Sequence, residues 1–348
     1  MGVTIALPAY GEEENLKVLL PKIKENAEKL GEPYEIIVVD AAEPLDDTET
    51  VCKVCGVKYM RRVGNNFGDA LATIPRVASM DKILVMDADG SHDPIYIPDI
   101  HRKFIEEQAD VCIGSRYTEG GVTHDSPKSV FMSEILNTTF RLALGFKAKD
   151  ISGNFRMYDA AQLRAVKITK PNYDVLQEIL FRLYRNNPKL RVVETPIEFK
   201  KRRSGESKRK LLPFIMNYGR TLAEFTYERF RNFILYGVIG VAGMAVDWST
   251  AMAAFKASSM GEEAASLCGN VAGFLFNFVL NTFLNFKKSD KLFARFISYA
   301  IICVGGMAVS TGLIALLKSK FAFGPLKLGV LIFIALVQYV LNKKITYK

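Results

Sequence analysis

From Phe233 onward the chain runs through four stretches that are long, apolar and almost free of charge. A bilayer core leaves no water for bare backbone groups, so each such stretch must close its hydrogen bonds as a helix of about 20 residues. The expected spans are 233–255, 264–286, 296–317 and 321–341, together a membrane domain over 231–348. Asp247 interrupts the first, and Lys327 lies in the opening turns of the fourth, where it can snorkel to the interface. Residues 1–232 are mixed and charged, so the whole-chain average of 49% hydrophobic and 24% charged residues hides two unlike halves. That composition excludes intrinsic disorder, a collagen-like repeat and a disulfide scaffold.

Basic residues set the expected orientation. Lys287, Lys288, Lys291 and Arg295 follow the second span, Lys343, Lys344 and Lys348 form the tail, and Arg229 and Arg231 precede the first span. The loop after the first span instead sets Lys256 against Glu262 and Glu263, while Lys318 and Lys320 run mildly against the trend. The positive-inside rule then puts both termini and the soluble N-terminal half in the cytosol. Val3–Leu7 already reads as a strand, so no secretory signal is expected ahead of it.

The membrane half repeats itself. Tyr236 and Gly243-Met244-Ala245-Val246 recur as Tyr299 and Gly306-Met307-Ala308-Val309, and Phe278-x-x-Asn281 recurs as Tyr339-x-x-Asn342. The unit is a helical hairpin duplicated in parallel. Gly240 and Gly243 would let helices approach closely. Asp247 is costly in lipid unless paired or wet, which leaves a headgroup or gating role and a structural bond equally open. Asn277 and Asn281, one turn apart, suit interhelical hydrogen bonds.

Between the halves, at 209–230, Leu211, Leu212, Phe214, Ile215, Tyr218, Leu222 and Phe225 fall on helical spacing behind Lys208, Arg209 and Lys210. An apolar stripe with basic flanks reads as an amphipathic helix in the membrane interface, against the plainer reading of a core helix of the soluble domain.

In residues 1–208, strand-like runs at 4–8, 35–40, 82–87 and 110–114 alternate with helical patterns, the first over about 15–30. This is the order of an α/β domain with a largely parallel sheet and helices on both faces. Ligands collect at the carboxyl ends of such strands, and here those ends carry Glu12, Asp40, Asp87 and Asp89. Asp87-x-Asp89, at the end of the apolar run Ile83–Met86, suits Mg²⁺ or Mn²⁺ held against a diphosphate. A lone D-x-D also occurs in many surface turns; its place after a buried-type strand favours the functional reading. There is no P-loop and no G-x-G-x-x-G, against an ATPase or a dehydrogenase. Lys200-Lys201-Arg202-Arg203, running on to Lys208, is a charge run that suits phosphates at a membrane rather than a passive face. With no basic-aromatic recognition surface, nucleic acid is not an expected partner. Cys52 and Cys55 form a lone C-x-x-C without a second pair and read as ordinary helical thiols.

Leu7-Pro8-Ala9-Tyr10-Gly11-Glu12-Glu13-Glu14-Asn15-Leu16, Asp40, Asp87-Ala88-Asp89-Gly90-Ser91-His92, Gly114-Ser115-Arg116-Tyr117, Ser152–Arg156 and Gly205–Lys208 occur in order. Together they resemble a family 2 glycosyltransferase of the dolichol-phosphate mannose synthase type, over about residues 1–225. The C-terminal half resembles a GtrA-like four-span domain. The resemblance implies a GT-A fold, a nucleotide-sugar donor, a divalent cation (Mg²⁺ or Mn²⁺) and a polyisoprenyl-phosphate acceptor. It implies donor contacts at Pro8, Tyr10, Glu12, Val38, Asp40, Asp87, Ala88, Asp89, Arg202 and Lys208. Metal contacts are implied at Asp87, Asp89 and Ser91, and acceptor-phosphate contacts at Arg116, Lys128 and Ser133. Asp89, Arg116, Arg202 and Lys208 would carry the catalysis.

The chain departs from that pattern at three places. Ala41 replaces a second carboxylate after Asp40, Ser91 stands where relatives carry Gln, and Ser129 stands at a basic position for which Lys128 is the neighbour. The expected activity is inverting transfer of mannose from GDP-mannose to a polyisoprenyl phosphate. The rivals are a UDP-glucose-dependent glucosyltransferase of the same type and a non-catalytic translocase of lipid-linked sugars.

Overall fold

The computed structural model describes residues 2–200, 211–257 and 261–348. The chain divides into two compact units, Met1–Thr226 and Tyr227–Lys348. The expected 209–230 linker spans that division, and its residues 209 and 210 lie outside the described residues.

The first unit is built on a seven-stranded sheet. Its strands are β1 (Val3–Pro8), β2 (Tyr34–Asp40), β3 (Lys58–Arg61), β4 (Lys82–Val85), β5 (Val111–Ser115), β7 (Arg156–Asp159) and β8 (Val192–Pro196), in the order β3-β2-β1-β4-β7-β5-β8. β1 is parallel to β2 and β4, with Ile5 opposite Ile36 and Leu84. A small parallel pair, β6 (Val122–Thr123) and β9 (Glu198–Phe199), stands apart. Alternation sorts the side chains into two cores. Ala6, Ile37, Val39, Ile83 and Val85 face α3 (Phe67–Val77), α5 (Pro127–Leu144), α6 (Ala160–Arg164) and α7 (Val175–Asn186). Val3, Ile5, Leu7, Ile36 and Leu84 face α1 (Glu13–Glu28), α2 (Thr48–Cys55) and α4 (Ile97–Glu106). With both sheet faces covered, β1 is buried along its whole length. Cys52 and Cys55 lie on α2, as expected.

Neither β3 nor β7 was among the strands expected from sequence. β7 runs antiparallel to both β4 and β5, between them. The turn that delivers it carries Ser152-Gly153-Asn154, and this brings Asn154 to the end of β4.

Of the stripe at the start of α8 (Leu211–Ala257), the later part turns inward, while the side chains at 211, 212 and 214 lie outside the described ones. Tyr218 and Phe225 are buried in the first unit's core and Leu222 packs against it. Phe225 stacks on Phe181 at 4.5 Å, and Tyr218 meets Phe140 edge-on at 6.2 Å. These three residues therefore form a core face, because α5 and α7 offer an apolar surface that the stripe completes. Ile215 and Met216 remain exposed.

The second unit contains the rest of α8, α9 (Glu262–Leu280), α10 (Leu292–Leu317) and α11 (Phe323–Leu341). Four helices are long and apolar enough to cross a membrane: Ile215–Ala257, Glu262–Asn285, Leu292–Leu317 and Phe323–Thr346. The duplication extends to the contacts. Phe233 and Tyr236 pack against Tyr339, and Phe296 and Tyr299 pack against Phe278 in the same way. Both hairpins end in a π-helical turn, Asn281–Asn285 and Asn342–Thr346, and Phe286 stacks on its counterpart Tyr347 at 4.3 Å. Gly243 lies against the Asn277 amide where Gly306 lies against the Gln338 amide. Asn281 hydrogen-bonds within its own helix, to the Asn277 carbonyl at 2.9 Å, and Asn285 is the residue that crosses, to the Asn232 carbonyl at 3.0 Å.

The two hairpins differ at Asp247, whose counterpart is Ser310. A Cβ on Gly269 would come within 2.5 Å of the Asp247 carbonyl oxygen, and one on Gly273 within 2.9 Å of the Asp247 Cβ. Nothing lies within 4 Å of a Cβ on Gly240, so Gly243 rather than Gly240 is the close-approach glycine of the pair expected from sequence. Gly269→Ala should cost about 1–3 kcal/mol, the usual penalty of overpacking, while Gly240→Ala should be near neutral. Thermal unfolding of the detergent-solubilised protein measures both.

Candidate functional site

Pro8, Ala9, Tyr10 and Glu12 leave the carboxyl end of β1, and Asp87, Ala88 and Asp89 follow β4 beside it. Together they form one wall of a cleft of about 260 Å³. Arg62, Asn65, Asn66 and Phe67, after β3, form a second wall, and Asn172 and Tyr173 a third. Gly11 and Gly90 occupy the left-handed region, at φ 73° and 78°, where glycine carries no Cβ penalty. They let the chain fold back sharply after each strand.

The turn after β4 is held from behind. The Asp87 amide donates to His92 Nδ1 at 3.0 Å, so that nitrogen is the unprotonated one. His92 is buried, stacks on Phe155 at 5.0 Å and meets Phe199 edge-on at 5.3 Å. Burial holds its imidazole below the usual value, against the pull of the Asp87 carboxylate. Asn154 Nδ2 donates to Asp87 Oδ1 at 2.8 Å. The Ser91 amide and hydroxyl both donate to Asp89 Oδ1, at 3.0 and 2.5 Å. Asp87 Oδ2 lies 3.8 Å from His92 Nδ1. Asn15 Nδ2 donates to Glu12 Oε2 at 2.6 Å and orients that carboxylate.

Of the expected donor residues, Pro8, Tyr10, Glu12, Asp87, Ala88 and Asp89 line the cleft. Val38 belongs to the core on the α1 side of the sheet. Asp40 is fully buried, its carboxylate accepting from the Ala41 amide at 2.7 Å and the Tyr59 hydroxyl at 3.1 Å. Burial nevertheless pushes its carboxyl above the ordinary range. Arg202 and Lys208 lie outside the described residues.

The sequence reading missed Arg62. Its Nη1 donates to the carbonyls of Ala9 and Val39, at 2.7 and 3.2 Å, and its Nη2 to that of Asn65 at 3.1 Å. The guanidinium lies 5.9 Å from the Tyr10 ring centre. The Gly/Asn-rich turn after a third parallel strand, again at the carboxyl edge, was the signal that could have found it.

The expected acceptor-side residues form a separate group. Arg116 is clamped to the fully buried Asp150, Nε to Oδ2 at 2.8 Å and Nη2 to Oδ1 at 2.9 Å, and Nη2 also donates to Ser152 Oγ at 2.8 Å. Burial would raise the Asp150 carboxyl, but Arg116 overrides it and holds the group down at about 2. Arg116 Nη1 faces Asp125 at 3.6 Å, and the guanidinium sits between the Tyr117 and Phe199 rings. Ser133 lies on α5 near Tyr117, and Lys128 is exposed in the first turn of that helix.

Two carboxylates at one strand end supply hard oxygen ligands and fit Mg²⁺ or Mn²⁺. Among the described residues, no three acidic, His or Cys side chains gather around one point. The remaining ligands of such a cation would come from the Ser91 hydroxyl, a bound diphosphate and water.

Residues 4–166 match the family described as Glycosyl transferase family 2, and residues 235–347 match the GtrA/DPMS transmembrane domain. The chain is 26% identical to a dolichol-phosphate mannosyltransferase of Pyrococcus furiosus, over all of this chain and 99% of that protein. It is 30% identical to an undecaprenyl-phosphate mannosyltransferase of Micrococcus luteus, over 60% of this chain and 87% of that protein. Among solved structures, glucosyl-3-phosphoglycerate synthase of Mycobacterium tuberculosis, in complex with Mg²⁺ and uridine diphosphate, superimposes with a TM-score of 0.50. It is 17% identical, over 66% of this chain and 79% of that one, and the likeness bears on the fold alone.

Breaking a buried ion pair by neutralising one partner strands the other charge. Asp150→Asn should therefore lower stability by about 3–5 kcal/mol, read as a loss of thermal midpoint in detergent.

Proposed function

Because the chain belongs to glycosyl transferase family 2, and is an integral membrane glycosyltransferase with a GtrA/DPMS domain, we propose that it transfers mannose from GDP-mannose to a polyisoprenyl phosphate. The reaction takes place at the cytosolic face and inverts the anomeric centre. The observation that carries this reading is the cleft in which Asp87 and Asp89 stand at one strand end beside Tyr10 and Glu12. Both relatives are named as mannosyltransferases acting on polyprenyl phosphates, which supports the acceptor class and the sugar.

In this mechanism Tyr10, Glu12 and Arg62 surround the nucleoside, and Asp87 and Asp89 face the diphosphate. Asp87 and Asp89 would hold a divalent cation there, which would supply neutralisation of the departing nucleoside diphosphate. Ser91 keeps Asp89 oriented through its two hydrogen bonds and is the third candidate ligand. Arg202 and Lys208 are assigned to the phosphates. On the acceptor side, Arg116 Nη1, Lys128 and Ser133 receive the lipid phosphate. Asp125 must yield Nη1 when that phosphate arrives. The monoester has a second pKa near 6, so it arrives largely ionised and attacks without a dedicated base. Catalysis is then positioning and charge stabilisation.

The test is transfer of labelled sugar to a polyprenyl phosphate by detergent-purified protein with Mn²⁺, with GDP-mannose and UDP-glucose in parallel. Transfer from GDP-mannose alone is expected. Chelation should abolish it and Asp89→Ala should lower it by about 10²–10³-fold, the usual cost of removing one electrostatic stabiliser. Transfer from UDP-glucose would reassign the sugar, and transfer from neither donor by folded protein would overturn the reading.

A further inference from the structure

The parallel pair β6–β9 stands outside the seven-stranded sheet. Among the described residues, none of its side chains joins either core of the first unit. The strip that runs through β9, from Ile197 to Lys200, is instead stitched to both groups of expected site residues. The Ile197 amide donates to the Ser115 carbonyl at 3.1 Å, next to Arg116. The Lys200 amide donates to the Ser91 carbonyl at 3.0 Å, in the turn that carries Asp89. Phe199 forms an antiparallel bridge with His92, and its carbonyl accepts from the His124 amide at 3.0 Å. Lys200 Nζ closes on Asp93 Oδ2 at 2.7 Å.

The Phe199 ring lies where these stitches meet. It meets the His92 ring edge-on, with centres 5.3 Å apart, and its centre is 5.0 Å from the Arg116 guanidinium. His92 holds the amide of Asp87, and Arg116 is the arginine assigned to the acceptor phosphate. One side chain therefore touches both the support of the carboxylate turn and the cation of the acceptor side. A partly exposed aromatic ring outside both cores, with a ring edge on one side and a guanidinium on the other, is held by those two contacts.

Spacing between the two groups is what the transfer needs. A lipid-phosphate oxygen bonds to the anomeric carbon as the bond from that carbon to the donor diphosphate breaks, and the electron pair leaves with the nucleoside diphosphate. The ionised monoester has no proton to lose in this step. The reacting atoms must stand about 3–3.5 Å apart and in line, and an error of about 1 Å costs about 10²-fold. Arg116 cannot set that gap alone, because its clamp to Asp150 fixes it only to its own side.

We infer that Phe199 is a positioning residue, the spacer that fixes the distance between the donor turn and Arg116. The inference rests on the donor and acceptor assignments made above.

The test compares full-length wild type with Phe199→Leu, which keeps an apolar side chain but removes the ring. The kcat for transfer should fall at least about ten-fold, while the KM for the acceptor and the Mn²⁺-dependent affinity for GDP stay within about two-fold. A ring that merely fills space would leave kcat unchanged, and one that acts through His92 alone would weaken GDP binding. Either result overturns the inference.

A second readout requires no turnover. Para-fluorophenylalanine placed at 199 keeps the ring and should keep the wild-type kcat. Its fluorine resonance should broaden with GDP and paramagnetic Mn²⁺, and should shift when a short-chain polyisoprenyl phosphate joins the Mg²⁺–GDP complex. A resonance that answers one substrate and not the other overturns the spacer role. Wild type that transfers no sugar, with a resonance that answers both substrates, would overturn the assigned reaction and leave the spacer in place.

Discussion

The site depends on two carboxylates being held at the end of β4 without being consumed there. Left to themselves, Asp87 and Asp89 would turn to solvent or to the nearest backbone amides. His92 prevents this by accepting the Asp87 amide from inside the core, where two aromatic rings fix its plane. Asn154 takes one oxygen of Asp87, and Ser91 takes one oxygen of Asp89. A neutral imidazole, an amide and a hydroxyl thus shape the turn while adding no positive charge of their own. Both carboxylates still line the cleft, where the proposed cation and diphosphate would bind.

The same economy explains the antiparallel strand. β7 interrupts an otherwise parallel sheet next to β4, and Asn154 enters on the turn that precedes it. That turn also carries Ser152, which supports Arg116, and it begins at Asp150, the partner of that arginine. One short segment therefore braces both the expected donor side and the expected acceptor side. The membrane half is organised by repetition instead. Its two hairpins reuse the same glycine–amide contact and the same π-helical ending, and they part company at Asp247, where Gly269 and Gly273 admit a carboxylate that the second hairpin lacks.

Much of this was legible in the sequence, for reasons that can be named. Asp87-x-Asp89 was legible because strand, turn and carboxylates are contiguous. The duplicated hairpin was legible because it is written twice. Asn154 reaching Asp87 across 67 residues, and Arg116 reaching Asp150 across 34, were not, since those pairings exist only once β7 and β5 are placed in the sheet. Arg62 was missed because the second of two consecutive arginines at the end of a short strand looks like a surface charge until its carbonyl partners are known. The start of α8 was seen as a stripe, but periodicity alone does not say whether a stripe meets lipid or protein; Tyr218 and Phe225 meet protein.

The central claim is that Asp87 and Asp89 bind a nucleoside diphosphate together with a divalent cation. The most direct measurement is equilibrium binding of GDP to the full-length protein as a function of Mn²⁺, by titration calorimetry in detergent. The account predicts that GDP binds tightly only with Mn²⁺, that Mn²⁺ alone binds weakly, and that Asp87→Asn removes the coupling. GDP affinity independent of Mn²⁺, or coupling unchanged in Asp87→Asn, would contradict it.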